Sequence, residues 1–203
     1  MITIVDYGMG NAGSLQNMIR KAGGESRISA NREEIAKASK LILPGVGSFD
    51  NGITKLNETG ILDILHIKVI QDKTPILCIC LGMQMITRQS EEGKMPGLGW
   101  INAKTIRFKF TKESNLRIPH MGWNTVKIKK NTPLFYDMHQ EPRFYFVHSF
   151  YVVCEDKDDI VTTTDYGLEF VSSLQRDNIF ATQFHPEKSH LYGIKLIHNF
   201  IAM

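Results

Sequence analysis

Three short segments carry residue types suited to covalent chemistry. In Cys78-Ile79-Cys80-Leu81-Gly82, an apolar strand-like run leads straight into a helix-like one. Cys80 would then sit on a strand-to-helix turn, where free backbone N–H groups favour an anion. Such a setting lowers a thiol pKa and offers hydrogen bonds to a developing oxyanion. A turn this tight asks for small residues two positions before and after the nucleophile. Gly82 meets that demand after Cys80, and Cys78 meets it less comfortably before. Cys78 is the poorer nucleophile, being within the strand and having Cys80 as its own +2 neighbour. The bland alternative for Cys80 is a buried structural cysteine. The second segment, Gln183 to Ser189, delivers His185 at a strand end with Glu187 two residues on. A thiol nucleophile needs a base, and the base needs an orienting carboxylate. By itself a His-x-Glu is more often plain surface. Zinc binding by His185, Glu187 and His190 is the metal alternative, but their spacing fits no helical metal motif. The third segment, Leu43-Pro44-Gly45-Val46-Gly47-Ser48-Phe49, has glycines on both sides of Val46. The Val46–Gly47 peptide can therefore take either orientation at modest cost. An N–H from this loop would complete an oxyanion hole with the N–H of Leu81. No Gly-Lys-Ser/Thr follows, so it is not a phosphate loop; an ordinary strand-end turn is the alternative.

These segments can cooperate only if the fold brings them to one edge. The first half of the chain alternates apolar runs with helical patterns: Ile2 to Val5, a helix over 12–22 with Leu15, Met18, Ile19 and Ala22 on one face, Leu41 to Leu43, and Pro75 to Ile79 followed by a helix from Leu81 to Arg88. That alternation predicts a parallel sheet with right-handed crossovers, whose carboxyl ends share one edge. The second half reads as strands at Ile101 to Phe110, Thr125 to Lys129, Phe144 to Val153, Ile160 to Thr164, Glu169 to Leu174 and Ile179 to Gln183, with some antiparallel pairing. A last helix, Ser189 to Phe200, places Leu191, Ile194, Ile197 and Ile201 on a stripe. No repeat or linker interrupts the chain, so one α/β domain over residues 1–203 is expected.

Together the three segments resemble the class I (triad) glutamine amidotransferases. Three more, Asp6-Tyr7-Gly8-Met9-Gly10-Asn11, Pro119-His120-Met121-Gly122-Trp123-Asn124 and Tyr145-Phe146-Val147-His148-Ser149-Phe150-Tyr151, look like the glutaminase subunits of imidazole glycerol phosphate synthase, in the family's order along the chain. The resemblance implies a flavodoxin-like three-layer α/β fold with a central mixed, mostly parallel sheet. It implies hydrolysis of L-glutamine, with Cys80 attacking the carboxamide, His185 as base and then acid, and Glu187 orienting it. Val46, Gly47 and Leu81 would form the oxyanion site. Gly47, Gln84, Ser149 and Phe150 would hold the substrate; Gln84 lies one helical turn past Cys80 and so shares its face. Asn11, Trp123, Tyr145 and Lys188 would lie toward a (β/α)8-barrel synthase partner that takes the ammonia, with no cofactor or metal required. His120 and His148 fall in matched motifs without an assigned chemistry. Cys78 departs from the family, which usually has glycine there. The segment Ser90 to Trp100 resembles a paralogous branch that feeds ammonia to enzymes amidating surface sugars, so that acceptor stays open beside the histidine-pathway one. A catalytically silent binding module and another thiol hydrolase are readings of different classes; intact Cys80, Gln84, His185 and Glu187 argue against the first, and the glutamine-holding and partner-facing motifs against the second.

Composition sets the frame. A 42% hydrophobic and 22% charged chain of 203 residues is long enough to bury a core, and a formal net charge of +3 gives no reason to expect a nucleic-acid surface. The short basic group Lys127, Lys129 and Lys130 reads as a solvated face. The start lacks a secretory leader pattern. The longest apolar-rich run, Pro75 to Ile86, is short of the ~20 residues that span a bilayer. Three cysteines in no disulfide-like framework point to a reducing cytoplasm.

Overall fold

The computed structural model describes residues 1–111 and 114–203. In chain order the elements are β1 (Ile2–Val5), α1 (Ala12–Lys21), β2 (Ser26–Ser29), α2 (Arg32–Ala36), β3 (Lys40–Leu43), α3 (Phe49–Glu58), α4 (Leu62–His66), β4 (Ile76–Ile79), α5 (Leu81–Met85), β5 (Gln89–Ser90), β6 (Ala103–Arg107), β7 (His120–Thr125), β8 (Lys127–Ile128), β9 (Arg143–His148), β10 (Phe150–Cys154), β11 (Ile160–Asp165), β12 (Glu169–Arg176), β13 (Ile179–Thr182) and α6 (His190–Ala202). The central mixed sheet runs β2-β1-β3-β4-β13-β12-β10-β6-β5, with β11 and β8 joined through β12. Its first five strands are all parallel and follow the doubly wound order in which ligands bind beyond the strands' carboxyl ends. β7 and β9 form a separate antiparallel ribbon.

Alternation along the strands builds the three layers. Leu41, Leu43, Ile76 and Cys78 join one apolar cluster with Phe49, Ile53 and Leu56 of α3 and Leu81 and Met85 of α5. Ile42, Leu77 and Ile79 join the other, with Leu15 and Ile19 of α1 and Leu196, Ile197 and Phe200 of α6. α1 starts where the Asn11 side chain accepts from the Ser14 N–H and buries Leu15, Met18 and Ile19 at helical spacing.

Several sequence expectations shift. The single strand expected over Phe144 to Val153 is two strands in different sheets, broken at Ser149, where His148 Nδ1 bonds the Phe150 carbonyl at 2.7 Å and turns the chain. The helix expected to reach Arg88 stops at Met85, because the Arg88 N–H goes to the Ala103 carbonyl at 2.9 Å and draws the chain onto the sheet edge. The Thr125 to Lys129 strand is reduced to β8, with Thr125 closing β7, a strand that His-Met-Gly-Trp-Asn-Thr does not announce. On α6 the buried face is Gly193, Leu196, Ile197 and Phe200, and Leu191 is exposed.

Candidate active site

The three segments meet beyond the carboxyl ends of β3, β4 and β13. They surround a cavity of about 300 Å³ lined by Val46, Gly47, Cys80, Leu81, Gln84, Ser149, Phe150 and His185. Cys80 caps α5 with φ 54° and ψ −107°, a backbone conformation that costs a non-glycine residue on the order of 1–3 kcal/mol. Its N–H is held by the Thr182 carbonyl at 2.7 Å. A Cβ on Gly82 would lie 2.3 Å from the Leu43 carbonyl oxygen, so the small residue after Cys80 is required by the contact of α5 with β3. Because α5 has only five residues, its dipole is small, and anion stabilisation here falls to individual N–H groups. Cys78 is wholly buried in β4, and that burial pushes its thiol well above the ordinary range.

His185 is fixed at both ends. Its N–H donates to the Tyr145 carbonyl at 2.9 Å, and its Nδ1 meets Glu187 Oε1 at 2.7 Å, both side chains being almost fully buried. Burial alone would depress the imidazole pKa. The electrostatic pull of the neighbouring Cys80, followed by the hydrogen bond and charge of Glu187, outweighs it and raises the pKa to about 10. Nε2 is left buried, with no partner of standard geometry among the described residues, on a ring that shares the cavity with Cys80. Glu187 stands behind the ring and does not line the cavity.

The oxyanion loop is arranged differently from the expectation. The Leu81 N–H donates to the Gly45 carbonyl at 3.4 Å, so the loop expected to supply a second donor occupies the first. Gly47 has φ 111° and Val46 is 42% exposed. Gln84 is buried; its Nε2 donates to the Phe150 carbonyl at 3.2 Å and to Gln183 Oε1 at 3.1 Å. Gln183 Nε2 in turn approaches Cys80 Sγ at 3.6 Å.

Sequence reasoning missed Glu92, His148 and Gln183 at this site. Glu92 is the acid in the cavity wall. Its carboxylate accepts the Phe49 N–H at 2.8 Å, and burial raises its pKa. Glu92 lies in the segment Ser90 to Trp100, but nothing local places it at the cavity: the Asp50 carboxylate, by binding the N–H groups of Lys94 and Met95, folds that segment back against α3.

Three of the residues expected to face a partner form one patch. Trp123 and Tyr145 are cross-strand neighbours, Lys188 Nζ lies 5.7 Å over the Tyr145 ring, and His190 stacks on Trp123 at 5.5 Å. Asn11 caps α1, in a loop whose Gly10 abuts Pro44 and whose Met9 abuts Gly47. Among the described residues, no group of three or more His, Cys, Asp or Glu is disposed to hold a metal ion, and no helix is long and apolar enough to cross a membrane.

Residues 3–203 match the family Glutamine amidotransferase class-I. The chain belongs to that family. The "Imidazole glycerol phosphate synthase subunit HisH 2" of Methanococcus maripaludis is 57% identical over 99% of this chain and 98% of its own. The protein of the same name from Pseudomonas aeruginosa is 44% identical over the whole of both. This class I amidotransferase is therefore a glutamine amidotransferase subunit of the imidazole glycerol phosphate synthase type. A crystal structure of a glutamine amidotransferase shares the fold with a TM-score of 0.68, at 17% identity, over 97% of this chain and 99% of that one.

Proposed function

We propose that this amidotransferase, acting as one domain over residues 1–203, hydrolyses L-glutamine through Cys80, His185 and Glu187. The observation that carries the reading is the shared cavity of Cys80 and His185, with Glu187 bonded to the far side of the imidazole. His185 takes the thiol proton and Cys80 Sγ attacks the carboxamide carbon. As the tetrahedral adduct collapses, the imidazolium returns the proton to nitrogen, ammonia leaves, and a γ-glutamyl thioester remains. Water, deprotonated by the same imidazole, then releases glutamate and the thiol. Glu187 keeps the Nδ1 proton in place, so that Nε2 is the working atom. Glu92 faces the substrate's α-ammonium, and backbone at Gly47, Ser149 and Phe150 faces its carboxylate. Gln84, its amide N–H groups already engaged, offers Oε1.

Ammonia then passes to a (β/α)8-barrel synthase subunit seated on the Trp123, Tyr145 and Lys188 patch and on the loop at Asn11, in the cytoplasm, for formation of imidazole glycerol phosphate. The segment Ser90 to Trp100 supports the second reading of the acceptor as a surface sugar. The glutaminase half-reaction is the same in both. The test is glutamate release by the chain co-purified with its barrel subunit, with Cys80→Ala alongside. Release by the parent alone supports the reading, and equal release by both ends it.

A further inference from the structure

Seven groups form one hydrogen-bonded line from the surface ribbon to the proposed nucleophile. Asn124 Nδ2 lies 3.3 Å from His120 Nε2, His120 Nδ1 lies 3.0 Å from His148 Nε2, and His148 Nδ1 lies 2.7 Å from the Phe150 carbonyl. That carbonyl also receives Gln84, which bonds Gln183, which reaches Cys80 Sγ. His120 and His148 face each other as cross-strand partners in the β7–β9 ribbon, and both are buried. At its outer end Asn124 follows Trp123 directly and spends its other N–H on the Asp165 carbonyl at 2.9 Å.

The direction of every proton in the line is forced. The Phe150 carbonyl only accepts, so His148 Nδ1 carries the hydrogen. Burial holds this ring's pKa down to about 3 and that of His120 to about 4, so both rings are neutral and each has one donor and one acceptor. His148 Nε2 must then accept from His120 Nδ1, and His120 Nε2 from Asn124, whose amide nitrogen can only donate. A run of aligned bonds polarises its members in concert, and here it ends on a carbonyl in the wall of the glutamine cavity.

We propose that His120 and His148 are positioning residues that carry the set of the β7–β9 ribbon, where a partner would press on Trp123 and Tyr145, to the Phe150 carbonyl and through Gln84 and Gln183 to Cys80. The proposal rests on the glutaminase reading above. Packing and hydrogen bonding by His120 can be told apart, because its ring also stacks on Tyr166 at 4.0 Å and on Phe146 at 4.9 Å. His120→Phe keeps the stacked ring and removes both hydrogen bonds. His120→Asn loses the ring and keeps an N–H near the place of Nδ1.

In the complex with acceptor and the barrel subunit, His120→Phe lowers stimulated glutaminase kcat by roughly five- to tenfold, the worth of one neutral hydrogen bond. KM for glutamine and the rate of the isolated chain stay at the parent values, and His120→Asn recovers most of the loss. A parent-like Phe variant beside an impaired Asn variant overturns the proposal, as does an equal fall in the isolated and stimulated rates. Nitrogen-15 spectra of the parent histidine rings give a reading that needs no variant: both rings neutral with the proton on Nδ1 supports the line, and a proton on Nε2 of either ring breaks it. Absence of glutamate release by the parent complex counts against the glutaminase reading instead, and the ring spectra still decide the line.

Discussion

The ends of β3 and β4 lie side by side, yet they are built to opposite specifications. Past β4, Cys80 is pinned. Its N–H is bonded to Thr182, its positive φ is imposed by the turn, and Gly82 is pressed against the Leu43 carbonyl. Past β3, Val46 stands out in solvent and Gly47 sits at φ 111°, where a peptide flip costs little. The fixed end carries the proposed nucleophile. The adjustable end carries the proposed oxyanion peptide, and in this structure its Gly45 carbonyl occupies the Leu81 N–H. The contrast implies a division of labour: the attacking atom is always ready, and the rate is set by whether the neighbouring loop presents a donor or an acceptor. A partner could then govern hydrolysis without touching the nucleophile.

The fixed end should show the largest effects. Cys80→Ala abolishes glutamate release with and without the partner, because no other thiol lines the cavity; robust turnover in that variant would remove Cys80 from the mechanism. His185→Asn leaves the thiol without a proton acceptor and costs roughly 10²–10⁴-fold in kcat, the range for general acid–base catalysis. Pre-steady-state thioester formation is the measurement, and a parent-like burst would break the dyad. Glu187→Gln lowers the rate less than His185→Asn does, since it removes an orienting charge and not the base.

The adjustable end should respond more selectively. Gly47→Pro removes the N–H and fixes a negative φ where the loop has a positive one. Loss of one oxyanion donor costs about 10²–10³ in rate, and that loss falls on the stimulated activity, with complex formation intact by gel filtration. A Gly47→Pro complex stimulated as strongly as the parent would show that the loop does not gate. Comparable turnover by the isolated chain, the complex, and the complex with acceptor would end the gating idea while leaving the triad standing.

The fixed end was also the more legible one in the sequence. A nucleophile between two small residues, at the join of an apolar strand and a helix, is a local pattern, and so is His185 with Glu187 at a strand end. The parallel half of the sheet followed from the same kind of signal. What could not be read was set by distant contacts. The break at Ser149 depends on a buried imidazole at the end of β9 bonding the first carbonyl of β10, two residues on. The place of Glu92 in the cavity wall depends on Asp50, far away in sequence. β7 exists because β9 pairs with it, since Gly122 and Asn124 weaken any intrinsic strand preference.

The smallest effect tests why Cys78 is tolerated where the family usually has glycine. A side chain at this position could strain the turn two residues later. The structure gives it ordinary strand surroundings: β4 pairs on both sides, with Leu43 and Ala181 opposite Cys78, and the thiol lies in the apolar cluster on the α3 and α5 face. The close approach that demands glycine falls on Gly82, on the other side of Cys80. Cys78→Gly should therefore leave kcat and KM for glutamine at the parent values, since no cavity-lining atom is lost. It should lower stability by about 1–2 kcal/mol, from the backbone freedom of a strand glycine and the lost burial of the side chain. At this chain length that corresponds to a melting temperature lower by ~2–8 °C. Thermal unfolding and steady-state glutaminase kinetics on the same preparation separate the two effects. A variant that melts higher and turns over faster than the parent would mean that Cys78 strains the turn, and that the fixed end is less relaxed than its neighbours indicate.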